Sequence, residues 1–292
     1  MRVYLHLSDT HFGAKGAAEA LPRLKELIRE QLDALDPDTK VGFIVTGDGV
    51  DSPRKANNKQ YLDFSDYLQE TSGREPLFVL GNHDVNFRGL AFLQGNQILA
   101  NYVGGYPRLK RPRGSDLVFL LFNSNTDGFL AQGEIGAEQM ADAAELLSDI
   151  KDRERCTVIA VLHHHIAPVP ESRAPRLSWW RRHLPQALLA ILPKALTEGT
   201  RSLTDADEFV RFLKDQKIRF VLHGHKHIPF ITAREGIQVI ACGSSTHRQG
   251  AGQDCLSYNV LTFDETTLKV DQYAEYTPGA GAEVIASEVF ER

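Results

Sequence analysis

Long apolar runs are missing from this sequence. No stretch approaches the ~18 uninterrupted apolar residues of a membrane-spanning helix. The opening segment, Met1 to Asp9, also lacks the charged start, the apolar core of ~7–15 residues and the small-residue cleavage site of a secretory leader. Cysteine is scarce. Cys156, Cys242 and Cys255 are odd in number and form no Cys-x-x-Cys pair, which argues against a disulfide framework and for reduced, buried thiols. Positive charge is not in excess either: 33 Lys+Arg stand against 38 Asp+Glu, a net charge of −5. No global basic surface announces a nucleic-acid binder, although a local one is compatible with these numbers. There is no internal repeat and no low-complexity tract. These absences together lead to the expectation of a cytoplasmic protein without a transmembrane segment.

What is present is ordinary globular material: 292 residues, 42% hydrophobic and 24% charged, enough to bury a sizeable core. Short apolar runs without alternation read as strands buried on both faces: Arg2–Leu7, Val41–Thr46, Pro76–Leu80, Leu117–Phe122, Thr157–Leu162 and Ile218–Leu222. Amphipathic stretches between them read as helices: Ala17–Leu35, Lys59–Glu70, Ala137–Arg155 and Asp205–Gln216, the last capped by Thr204 or Asp205. Towards the C-terminus, Phe230–Thr232, Gln238–Ala241, Tyr258–Phe263 and Leu268–Glu275 read as hairpin-connected strands. Strand–helix alternation followed by antiparallel strands predicts an α/β sandwich with a mixed sheet.

One segment stands apart. Residues 167–204 carry five prolines and also Trp179-Trp180-Arg181-Arg182. They read as a partly helical cap inserted into a single domain spanning 1–292. Its arginines are either the solvated face of an amphipathic helix or contacts for a phosphate. A surface for self-association, nucleic acid or membrane is a further reading of the same segment.

The polar motifs occur where the apolar runs stop. Strand ends lead into Ser8-Asp9-Thr10-His11, Gly47-Asp48-Gly49-Val50-Asp51, Gly81-Asn82-His83-Asp84, His163-His164-His165 and Gly224-His225-Lys226-His227. In open α/β sheets the carboxyl ends of strands border the ligand crevice, so these five motifs are expected to converge in space. Carboxylates and imidazoles crowded in one crevice are costly unless a cation compensates them. Oxygen and imidazole donors without thiolate suit manganese, iron or zinc. Seven ligand candidates are too many for one tetrahedral ion and fit two ions about 3.5–4 Å apart sharing a carboxylate.

In residue type and in order, these motifs resemble the calcineurin-like metallophosphoesterase superfamily, in particular its bacterial phosphodiesterase-like members. The resemblance spans Asp9 to His227. It implies a four-layer α/β/β/α sandwich of two mixed sheets and hydrolysis of phosphate esters by a hydroxide bridging two metal ions. It places Asp9, His11 and His227 on one metal, Asp48 between both, and Asn82, His225 and one histidine of the triplet on the second. His163 directly follows the strand and is the expected ligand, with His164 as the alternative. His83 would stabilise phosphoryl oxygens or protonate the leaving group, with Asp84 orienting it. His164, His165, Arg181 and Arg182 would contact substrate.

Other histidines read as structural: His6 within the first strand, His223 before Gly224, and His247 after Gly243-Ser244-Ser245-Thr246, although the last could face the site. Asp51 would support the bridging region or cap a helix. Gly47, Gly81 and Gly224 would let the chain turn sharply beside the metals. The family's protein Ser/Thr phosphatases carry arginine directly before Gly-Asn-His, whereas Leu80 stands here. Its purple acid phosphatases carry a tyrosine three residues after the bridging Asp, whereas Asp51 stands here. The resemblance therefore points to a small phosphodiester substrate such as a cyclic nucleotide, with a DNA or RNA nuclease as the alternative and a non-catalytic binding module behind both.

Overall fold

The computed structural model describes residues 1–86, 98–125, 132–170, 203–246 and 255–292. Six strands form the first sheet in the order β12-β11-β10-β1-β2-β3, and six form the second in the order β4-β5-β6-β7-β9-β8. In the first sheet β1 (Arg2–Leu7), β2 (Lys40–Thr46) and β3 (Leu77–Val79) run parallel. Beside β1, β10 (Leu256–Phe263), β11 (Thr267–Glu275) and β12 (Glu283–Glu291) continue antiparallel. In the second sheet β5 (Leu117–Leu121), β6 (Thr157–Val161), β7 (Phe220–His223) and β9 (Ile237–Ala241) are parallel. Short antiparallel edges close it, β4 (Arg108–Lys110) on one side and β8 (Phe230–Arg234) on the other.

Period-two alternation sorts each strand between two cores. From β1, Tyr4 joins Ile44, Phe119, Val161, Leu222 and Leu261 in a core between the sheets. Val3, Leu5 and Leu7 face the other way, against Leu24, Leu27 and Ile28 of α1 (Ala17–Asp33) and Phe64 and Leu68 of α2 (Lys55–Ser72). The second sheet likewise turns Val118, Leu120, Val158 and Val221 towards α5 (Ala137–Ser148) and α6 (Ala206–Asp215). Layers of helix, sheet, sheet and helix result, as expected. Buried positions on α1 fall at Ala17, Ala20, Leu24, Leu27 and Ile28, the spacing that puts one apolar stripe against a sheet.

Some boundaries differ from the sequence reading. The helix expected over Ala137–Arg155 stops at Ser148, and only a 3₁₀ turn at Arg153–Arg155 follows. There Arg153 leaves the helical path to bond the carbonyls of Gln216 and Cys156. Helix α2 starts at Lys55, four residues before the expected Lys59. Asn57 and Asn58 hid its first turn, because asparagine favours turns over helix interiors. Asp205 precedes α6 as expected, but its carboxylate accepts the amides of Ile135 and Gly136 and so holds the entry to α5. Strands β4 and β12 were not anticipated. The first is three residues with two charges, and a register shift at Gln272/Tyr273 breaks the pairing of the second. Two short helices, α3 (Asn82–Val85) and α4 (Ile98–Val103), also emerge. Among the described residues no helix is long and apolar enough to cross a membrane. Most of the expected 167–204 cap, including Trp179, Arg181 and Arg182, lies outside the described residues, as does His247.

Candidate metal centre

The five motifs meet at the carboxyl ends of β1, β2, β3, β6 and β7. Backbone bonds stitch the loops together: the amides of Asp9, His11 and Phe12 donate to the carbonyls of Gly47, Asp48 and Gly49 at 2.9–3.0 Å. The amide of Gly224 donates to the His163 carbonyl at 3.2 Å, which joins the β6 and β7 loops. His225 links the two sheets, because its amide donates to both Asp9 oxygens at 3.0 and 3.2 Å.

Glycine is required at three of these turns by contact distance. A Cβ on Gly224 would stand 1.8 Å from Ser8 Oγ and 2.5 Å from Asp9 Oδ2. One on Gly81 would stand 2.2 Å from the Asp48 amide nitrogen, and one on Gly47 would stand 2.7 Å from His163 Nδ1. The side chains also force unusual backbone. Asp9, His11, Asp48, His225 and His227 all hold positive φ, between 42° and 74°. That left-handed region costs an L-residue of order 1–2 kcal/mol and persists only where surroundings impose it. Among the described non-glycine residues, only Lys217 and Glu235 share it.

Two donor groups result. In the first, Nε2 atoms of His11 and His227 lie 2.9 Å apart, with His227 Nε2 at 3.3 Å from Asp9 Oδ1 and His11 Nε2 at 3.8 Å from Asp48 Oδ2. In the second, His163 Nε2 lies 3.3 Å from Asp48 Oδ2, 3.2 Å from Asn82 Oδ1 and 3.1 Å from His225 Nδ1. Asp48 belongs to both groups. His163 Nδ1 donates to the Thr46 carbonyl at 2.7 Å, which leaves Nε2 as the atom that could hold a metal ion. Of the triplet, it is His163 that reaches Asp48. His164 Nδ1 instead meets Ser124 Oγ at 2.8 Å, and its ring centroid lies 4.5 Å from that of His225. His165 is buried next to His225, with ring centroids 5.8 Å apart.

The residues present fit a pair of cations. Nitrogen and oxygen donors 2.9–3.3 Å apart match the edges of a coordination shell whose metal–ligand distances are about 2.0–2.2 Å. Without a cation, protons take that place. Burial alone would depress His163, yet Asp48 and then Asp9 push it up to about 9. His227 is likewise raised against burial by Asp9. Burial opposes ionisation of Asp48 too, but His163, His83 and His11 hold its carboxyl well below the usual carboxylate range. His11 is pushed down to about 3 by burial and by His227. Each donor group therefore carries one imidazolium against a carboxylate, the charge arrangement a metal ion would replace.

The expected pairing of Asp84 with His83 is not formed. Asp84 accepts the amides of Val50 at 3.0 Å and Gly81 at 2.8 Å, so it clamps the two loops carrying Asp48 and Asn82. Burial and the Asp48 charge push its carboxyl up to about 7. His83 is held differently: its amide donates to Asp48 Oδ1 at 2.9 Å and its Nδ1 to the Asp51 carbonyl at 2.8 Å. Its ring stands edge-on to His11, centroids 4.8 Å apart. His6 is a satisfied interior histidine, between Thr46 Oγ1 at 2.9 Å and Asn259 Nδ2 at 3.1 Å. His223 is fully buried, with Nδ1 on the Gly224 carbonyl at 3.0 Å.

Sequence reasoning missed several supporting groups. These are Ser124 beneath His164, the carbonyls of Thr46 and Asp51, and the hydroxyls of Ser244, Ser245 and Thr246 around Asp9. Carbonyl roles leave no trace in residue type. The Gly-Ser-Ser-Thr run directly after a strand was the one available signal.

Several solved structures are similar to this chain at low sequence identity. Vps29 from Cryptosporidium parvum superposes with a TM-score of 0.48 at 12% identity, covering 100% of this chain and 98% of its own. GAP50 of Plasmodium superposes with a TM-score of 0.56 at 16% identity, covering 99% and 88%. A predicted phosphoesterase from Streptococcus pneumoniae gives 0.40 at 14% identity, covering 99% and 97%. No curated protein sequence matches significantly. Residues 2–229 match the calcineurin-like phosphoesterase family, which takes in every motif described above. The chain belongs to the calcineurin-like phosphoesterase family.

Proposed function

We propose that this chain hydrolyses small phosphodiesters at a dinuclear centre held by Asp9, His11, Asp48, Asn82, His163, His225 and His227. The observation that carries the reading is Asp48, whose carboxylate is shared by two separate donor groups while His83 stands at their edge. When bound, two cations there would activate water and neutralise charge building on the phosphoryl oxygens. The protein's own contribution is orientation. Since His83 Nδ1–H is committed to the Asp51 carbonyl, Nε2 is the ring atom left to face the departing alkoxide oxygen, and His83 in its imidazolium form would hand over the Nε2 proton and return to the neutral ring. Preference for diesters is supported by Leu80, whose side chain is buried in the helix-side core. That position supplies no cation to clamp the second charge of a phosphomonoester.

The test is a hydrolysis screen with the full-length protein, stripped by chelator and reloaded with manganese, iron or zinc. Model diesters and cyclic nucleotides should be cleaved in a metal-dependent way, and faster than phosphomonoesters. Faster cleavage of monoesters would overturn the diester assignment. Preferential degradation of single-stranded DNA or RNA would turn the reading towards a nuclease. No hydrolysis of any ester by fully loaded protein would leave a binding module.

A further inference from the structure

The run after β9 crosses from the second sheet to the first and lies under the Asp9 loop. Ser244 Oγ donates to the Asp9 carbonyl at 2.7 Å, and Thr246 Oγ1 donates to the Thr10 carbonyl. Between them, the Ser245 amide donates to the Ser8 carbonyl at 2.9 Å, and its hydroxyl accepts the Ser8 amide at 3.1 Å. All three side chains are at most 1% exposed. Gly243 allows the approach, because a Cβ there would stand 2.2 Å from Ser257 Oγ.

These bonds fall on a strained segment. Asp9 and His11 hold φ of 50° and 42°, so the chain between them has left the β ladder and its carbonyls need other donors. In a buried place those donors must be protein groups, because a buried carbonyl left without a donor is destabilising. We propose that the hydroxyls of Ser244 and Thr246 are positioning residues for the cation that Asp9, His11, Asp48 and His227 would hold. They fix the left-handed backbone that aims Asp9 and His11 at one point. The second donor group is tied to them less directly, through the His225 amide on Asp9 and the shared Asp48, since His163 is set by the Thr46 carbonyl and Asn82 by α3. The inference rests on the metal-centre reading above. Supporting groups of this kind are worth about 10–100-fold in metal affinity.

Manganese titrated calorimetrically into chelator-stripped, full-length protein tests it, alongside melting curves of the same stripped samples. Thr246→Val keeps the shape and removes the hydroxyl, Thr246→Ser keeps the hydroxyl, and Ser244→Ala removes the other donor. Wild type should bind two ions. Thr246→Val and Ser244→Ala should weaken one binding phase about 10–100-fold and the other distinctly less. Thr246→Ser should restore the wild-type profile. If both variants lower the melting temperature of the stripped protein but retain both wild-type affinities, the hydroxyls merely stabilise the fold and the proposal is wrong. Equal weakening of both phases also overturns it. A wild-type protein that binds no manganese, iron or zinc would sink the metal-centre reading itself.

Discussion

The two ends of the parallel strands are built on opposite principles. At the amino ends the polar groups are arginines meeting carbonyls and surface carboxylates. Arg2 donates to the carbonyls of Arg113 and Gly114 at 2.8 and 3.0 Å, and Arg292 pairs with Asp116, which is half exposed. Here the Asp116 carboxylate sits where water can share its charge, and left-handed non-glycine backbone is confined, among the described residues, to Lys217 and Glu235 in the turns before β7 and β9. At the carboxyl ends Asp9, Asp48, Asp84 and His163 are at most 2% exposed, and five candidate ligands lie in left-handed backbone. Buried charge of this density destabilises a fold unless a cation or protons answer it. One end contributes to stability, and the other spends it on a binding site.

The sharpest way to break that contrast is Gly224→Ala. A methyl group inside Ser8 and Asp9 must displace the Asp9 carboxylate, so metal content and hydrolysis should be lost together, read by elemental analysis and assay. Next in size, His83→Ala should lower kcat about 10²–10⁴-fold while metal content stays unchanged. Loss of both ions in that variant would mean His83 is itself a ligand.

A smaller effect appears with pH in the stripped protein. His163 is raised from 6.5 to about 9 in the fold, so its contribution is fully present below about pH 6.5 and disappears as pH rises through about 9. Asp84, raised from 3.8 to about 7, favours the fold only while protonated, and that contribution is lost between those values. Both slopes have the same sign. His6 and His11, both pushed down to about 3, oppose them below about pH 6.5 and are neutral above it. The melting temperature of stripped protein should therefore fall from about pH 7 to about 9, and saturating manganese should flatten that fall. A rise on going alkaline would contradict the charge arrangement described here. Least affected should be Glu235→Gln at the opposite end, where Glu235 and its partner Lys214 are both about half exposed, which limits the loss to a small shift in melting temperature with kcat and metal binding unchanged.

Much of this was legible in the residue order. The strands carrying motifs stand out because burial on both faces leaves uninterrupted Val, Ile, Leu and Phe. Each motif begins where such a run ends, which is why Asp9, Asp48, Asn82, His163 and His225 could be named before any contact was known. Illegible were interactions made by backbone atoms. The Thr46 carbonyl that selects the His163 tautomer and the Asp51 carbonyl that holds His83 are invisible to residue type. Asp84 shows the same limit from the other side. Adjacency to His83 suggested a pair, but α3 turns the carboxylate back onto the Gly81 amide and across to Val50.

By itself the sequence determined the layered α/β class, the motif positions and the chemistry of their donors, because hydrophobic periodicity and residue type are local properties. Only the tertiary structure decided which donors come together, because that depends on two sheets meeting within a few ångströms. Asp48 reaches both donor groups only because the β2 end lies between His11 on one side and His163 on the other. His163 is distinguished from His164 and His165 for the same reason: successive residues point in different directions, and a single one of the three reaches Asp48.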